Sequence, residues 1–310
     1  MPANVWERRA ILAAAAAVAA MPRRAAAQAV KWSAGEERPT LQAPANATDC
    51  HQHIYDSRFP IDKSATLRPG DATVADYRAL QRRIGTTRNV VVQPSTYGTD
   101  NRCLLDALGQ FGATARGVAV VDTSVGDDEL HRLDAAGVRG IRFNLVQTGA
   151  TTLAMVAPLA ARVHRLGWHV QVHAKPSLIV PNAALWRDLP CPVVFDHMGH
   201  PHEPGGAADA VVALLSDLAR HGRAWVKLSG AYMESKVGPP TYADITPVAR
   251  AYLAAAPGRM VWGSDWPHPT EKQKPDDAVL FDLLADWAPD ATLRSRVLVA
   301  NPAQLYGFPA

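Results

Sequence analysis

Asp49-Cys50-His51-Gln52-His53-Ile54-Tyr55 is the first strand-like run of the 310-residue chain. Strand side chains alternate between faces, so His51 and His53 are expected to point the same way and Cys50 the other way, as a small core residue. Two imidazoles side by side at a strand end make either a metal site or a pair that polarises a substrate oxygen. Working outward, seven more short apolar runs follow: Arg88–Gln93, Gly117–Asp122, Val138–Asn144, Trp168–His173, Val193–Met198, Trp225–Ser229 and Met260–Asp265. Helix-like stretches separate them, at Val74–Ile84, Arg102–Phe111, Asp127–Ala136, Thr152–Leu166, Ala183–Leu189, Ala208–His221 and Tyr242–Ala255. Asp276–Trp287 comes after the last strand. Alternating strands and helices imply parallel βαβ units, and eight of them match a single-domain α/β (β/α)8 barrel over residues 49–310. The competing open sheet would carry a Gly-x-Gly-x-x-Gly turn after its first strand, and none is present.

Residues 30–48, rich in Ala, Pro and polar side chains, read as a linker. Residues 1–29 read as an export signal: Arg8-Arg9, an apolar run from Ala10 to Met21, then Ala27-Gln28-Ala29 as an A-x-A cleavage site. The arginine pair points to the twin-arginine machinery as export partner, and to a periplasmic or secreted protein cut near Ala29. The apolar run is too short for a stable membrane span. The first 29 residues hold four arginines against Glu7, so the whole formal charge of +3 lies there and the rest is neutral. That balance excludes a basic nucleic-acid surface. Three scattered cysteines, Cys50, Cys103 and Cys191, form neither a disulfide framework nor a zinc knuckle.

Inside the predicted strands, polar residues alternate with apolar ones and come late, toward the face where barrel active sites form. His169, Gln171 and His173 alternate with Val170 and Val172; Arg142 and Asn144 with Ile141 and Phe143; Lys227 and Ser229 with Val226 and Leu228. Strand six ends Phe195-Asp196-His197-Met198, and strand eight leads into Gly263-Ser264-Asp265-Trp266-Pro267-His268. Buried polar groups are costly unless paired, so this concentration argues for a site.

His-x-His on strand one, His173 on strand five, His197 on strand six and Asp265 on strand eight resemble the amidohydrolase superfamily. Val194-Phe195-Asp196-His197-Met198-Gly199, Trp262–His268 and Asn301–Phe308 are similar to its lactone branch, the pyrone-dicarboxylate lactonases and galactarolactone isomerases. The resemblance implies an enzyme that hydrolyses or isomerises a small carboxylated lactone. It implies Asp265 as general base, with His51, His53, His173 and His197 polarising the carbonyl. Arg142 is then the candidate carboxylate clamp, with Tyr97, Lys227, Ser229 and Tyr232 as further substrate contacts; for Lys227 an interior salt bridge is the other reading. His200, His202 and His268 fall on expected loops. The wording of strands six and eight favours the branch that works without a cofactor. The alternative is one divalent metal such as zinc on His51, His53, His173 and Asp265, in a zinc-dependent decarboxylase or amidohydrolase. A periplasmic binder of an acidic sugar is the non-catalytic reading.

Overall fold

The computed structural model describes residues 29–147, 149–201 and 210–309. The expected export signal, up to residue 28, and His202 lie outside the described residues. Eight parallel strands run in sequence order: β1 Thr48–Gln52, β2 Arg88–Val92, β3 Ala115–Ala119, β4 Val138–Asn144, β5 His169–His173, β6 Val193–Phe195, β7 Ala224–Leu228 and β8 Met260–Trp262. Every neighbouring pair is parallel. Beyond β8, the Asp265 amide donates to the His51 carbonyl at 2.8 Å and the His53 amide to the Trp266 carbonyl at 2.9 Å, bringing the eighth strand to the first. The protein is a (β/α)8 barrel.

The helices Val74–Ile84 and Arg102–Phe111 have the expected bounds. Thr73 caps the first through a reciprocal bond with Asp76, and Gly85 ends it in the left-handed conformation. The expected helix from Tyr242 starts only at Thr246, with a proline in its first turn. Strands β6 and β8 are shorter than expected, ending at Phe195 and Trp262. The polar tails beyond them leave the sheet: His197, Met198 and Asp265 take positive φ values of 50°, 56° and 64°. These turns bring the His197 and Asp265 side chains to the barrel mouth.

Alternation in β1 is broken by a register irregularity between Asp49 and Gln52. Cys50 is buried as expected, but it packs with the barrel-interior side chains Val90, Val92, Val118, Val194, Trp225 and Val261 instead of facing away from the histidines. Tyr306 and Phe308 from the chain's end belong to the same cluster and close the barrel floor. Residues 30–47, expected as a linker, lie on the barrel. Trp266 Nε1 donates to the Lys31 carbonyl at 2.8 Å. Arg83 donates to the carbonyls of Ala34 and Glu37 and pairs with Asp276 at 2.7 Å. No helix among the described residues is long and apolar enough to cross a membrane.

Candidate active site

Asp49 fastens the first strand to the eighth. Its carboxylate accepts from the His51 amide at 3.0 Å, the Ser264 amide at 3.0 Å, the Ser264 hydroxyl at 2.6 Å and the Tyr77 hydroxyl at 3.0 Å. Burial pushes its pKa up to about 6 against those hydrogen bonds. With this joint fixed, three imidazoles converge on one carboxylate oxygen. Asp265 Oδ1 lies 3.4 Å from His51 Nε2, 3.4 Å from His53 Nε2 and 3.8 Å from His197 Nε2. The two first-strand Nε2 atoms are 3.3 Å apart. The other oxygen, Oδ2, accepts from the Tyr232 hydroxyl at 2.6 Å. Burial alone would raise the Asp265 pKa, but the imidazoles of His197, His53 and His51 outweigh it and hold the carboxyl well below the usual range.

The opposite ring nitrogens set the tautomers. His53 Nδ1 is 2.8 Å from the Val92 carbonyl, which only accepts, so Nδ1 carries a proton and Nε2 faces the site. His51 Nδ1 sits 3.2 Å from both Asp196 Oδ1 and the Lys227 ammonium. His197 Nδ1 is 3.0 Å from the Ser229 hydroxyl. Gly230 permits that approach, since a Cβ there would stand 2.9 Å from His197 Nδ1, and its φ is +71°. Burial, together with the Lys227 charge, holds His51 well below the ordinary imidazole range, and burial brings His197 down to about 4. Burial and the neighbouring His197 and Arg142 lower His173 strongly. These rings are therefore neutral near pH 7.

A cleft opens above the cluster, and His53, His173, His197, Asp265 and Arg142 all line it. His173 stacks on His200 at 4.8 Å, and neither of its ring nitrogens has a hydrogen-bond partner among the described residues. Arg142 donates to the Gln93 carbonyl at 3.3 Å; its buried Nε is unpaired and lies 3.6 Å from Asp196 Oδ2.

The remaining expected contacts separate. Lys227 is wholly buried beneath the histidines, donating to Gln171 Oε1 at 2.8 Å and lying 3.5 Å from Asp196 Oδ1, which is the interior salt-bridge reading. Ser229 and Tyr232 reach the cluster through His197 and Asp265. Tyr97 is absent from the cleft wall; its hydroxyl accepts from the Asp56 amide at 2.8 Å. Two residues gain a place that the sequence reading did not give them. Asp196 joins His51, Lys227, Gln171 and Arg142 below the site. His268, expected on a solvated loop, is buried, with Nδ1 3.1 Å from the Tyr232 hydroxyl and Nε2 3.1 Å from Asp277. The polar ending of strand six was the available signal for Asp196; nothing local marked His268.

The donor set fits a divalent metal. Ligand bonds of about 2.0–2.1 Å in a tetrahedron put donors roughly 3.3 Å apart. The spacings around His51, His53 and Asp265 match that. His51, His197 and Asp265 bring ligand atoms within 4.8 Å of one another. His197 thus stands where the sequence reading had placed His173.

A parallel barrel with a histidine–aspartate cluster at the strand ends defines a hydrolase-type centre of the kind that handles carbonyl carbon. A family profile described as Amidohydrolase matches residues 48–308, and the chain belongs to that family. The chain is 38% identical over 288 residues to a 2-pyrone-4,6-dicarboxylate hydrolase of Comamonas testosteroni, covering 89% of this chain and 94% of the relative. It is 30% identical over 273 residues to a D-galactarolactone isomerase of Agrobacterium fabrum, covering 86% and 93%. A crystal structure of an Agrobacterium tumefaciens protein, solved without ligand, is 30% identical, covers 90% of this chain and 99% of its own, and superposes with a TM-score of 0.81. Curated relatives of the chain are lactone hydrolases and isomerases.

Proposed function

We propose that the protein hydrolyses or isomerises a carboxylated lactone at this site. The observation that carries the reading is the convergence of His51, His53 and His197 on Asp265 Oδ1 at the base of a cleft walled by His173 and Arg142. Asp265 is the general base. Tyr232 occupies Oδ2, leaving Oδ1 to take a proton from water in hydrolysis or from a substrate hydroxyl in isomerisation. With Nδ1 on the Val92 carbonyl, His53 turns Nε2 toward the attacking oxygen and orients it. Carbonyl polarisation falls to His173, whose unpaired ring supplies an N–H. Arg142 binds the substrate carboxylate. A divalent metal such as zinc, held by His51, His53, His197 and Asp265, would supply Lewis-acid polarisation and a more acidic bound water. Proton release from a panel of lactones in weak buffer, with proton NMR of the products, tests the reading: ring opening or ring migration is expected, and inertness toward every lactone would overturn it. Parallel assays with and without chelator, together with metal analysis of the purified protein, decide the metal's part.

We further propose that residues 1–29 direct export through the twin-arginine machinery, on the support of Arg8-Arg9, the apolar run and the A-x-A ending. Arg8→Lys with Arg9→Lys should keep the protein in the cytoplasm; unchanged periplasmic recovery on fractionation would sink the idea.

A further inference from the structure

The charge carried by the cleft wall restricts what the site can hold. Arg142 is the one lysine or arginine on that wall among the described residues. Residues 202–209, outside the described residues, contain Glu203 and Asp209 in sequence but no lysine or arginine, and residue 148 is a threonine. Lys227, the buried cation beneath the cluster, lies 3.5 Å from Asp196 Oδ1 and does not line the cleft.

The rest of the wall is uncharged. Tyr55, Leu67, Pro94, Met233 and Pro269 present apolar surface. Between them stand hydroxyl and amide groups. The Ser95 hydroxyl accepts from Asn144 Nδ2 at 2.7 Å, so its own proton is free to donate. The side-chain amide of Gln147, on the same wall, has no hydrogen-bond partner among the described residues. Such groups satisfy neutral hydroxyls and carbonyls. A second carboxylate pressed against them would be buried without a counter-charge, which is strongly unfavourable.

We infer that the site takes a lactone bearing one carboxylate, held by Arg142, with neutral oxygens on the edge facing Ser95 and Gln147. The inference rests on the lactone reading and narrows it, setting this chain apart from its relative named for a dicarboxylate. The test compares a monocarboxylated, polyhydroxylated lactone (a hexaric acid 1,4-lactone) with a 2-pyrone dicarboxylate. Turnover is followed in the wild type, and binding of the intact lactones by calorimetry in Asp265→Asn. The monocarboxylate should be favoured by about tenfold or more in both, the worth of one charged hydrogen bond. Gln147→Arg, which adds a cation to the neutral wall, should shift the ratio toward the dicarboxylate by about tenfold. Equal or tighter binding of the dicarboxylate in the unsubstituted wall, or a ratio indifferent to Gln147→Arg, overturns the inference even if lactones are turned over. Absent turnover with the binding preference intact would instead remove the lactone chemistry and leave the one-carboxylate site standing.

Discussion

His169 and His173 stand on the same face of β5, four residues apart, and the ring nitrogens of both are out of solvent without a hydrogen-bond partner among the described residues. His169 belongs to the floor. It meets Tyr306 edge-on at 5.3 Å, and Gly140 makes room for it, since a Cβ there would lie 2.5 Å from its Nε2. Burial and the Lys227 charge lower its pKa to about 3. His173 belongs to the mouth, between His197, His200 and Arg142, on the wall of the cleft. Burial and an unpaired nitrogen are thus common to both. What distinguishes the mouth is convergence: several donors and a carboxylate aimed at one shared space. The floor has a buried imidazole in an apolar plug, and no chemistry follows from it.

The sharpest test of this contrast is Asp265→Asn, which keeps the shape of the mouth but removes the proton acceptor. It should lower kcat by about 10²–10⁴-fold with an unchanged thermal midpoint. Near-normal turnover would take Asp265 out of the mechanism. Tyr306→Ala is the matching cut in the floor. It should cost about 3–5 kcal/mol of stability, the range for truncating a buried aromatic, while kcat per folded molecule holds. Denaturant titration alongside kinetics checks it, and a large kcat loss in the folded fraction would mean that the floor and mouth are coupled.

Arg142→Met should raise KM for a carboxylated lactone by roughly 10–150-fold and spare a neutral one. Equal losses on both substrates would make Arg142 a support for Asp196 instead of a clamp. The last test is stability against pH. His197, lowered to about 4, His169, lowered to about 3, and the strongly lowered His51 and His173 bind protons more readily in the unfolded chain. Their contribution is therefore complete above about pH 6.5 and is lost as pH falls below that value, by up to about 1.4 kcal/mol per pH unit for each group. Asp49, raised to about 6, acts in the opposite sense between its ordinary value and 6, but it is one group against four. The thermal midpoint should fall from pH 7 to pH 5. His169→Leu should flatten that slope without lowering kcat, which separates the floor's share from the mouth's.

The sequence by itself determined the barrel. Eight apolar runs alternating with amphipathic stretches leave few other ways to bury both faces of each strand, and helices such as Val74–Ile84 carry their own caps. It also determined which strand ends are polar, and so named His51, His53, His173, His197, Arg142 and Asp265. Only the tertiary structure decided how those groups face one another. The break in β1 that turns Cys50 inward, and the positive φ at His197 and Asp265, depend on bonds from Asp49 to Ser264 and from Asp265 to His51, across more than 200 residues of chain. The same holds for Lys227, which strand alternation points inward but only the packed interior places under His51, and for His268, buried against Tyr232 and Asp277. Local pattern sets the face on which a side chain emerges where the strand is regular, and fails at the β1 break. The depth at which it stops, and the partner it finds there, are set by the closure of the barrel, which no short stretch of sequence contains.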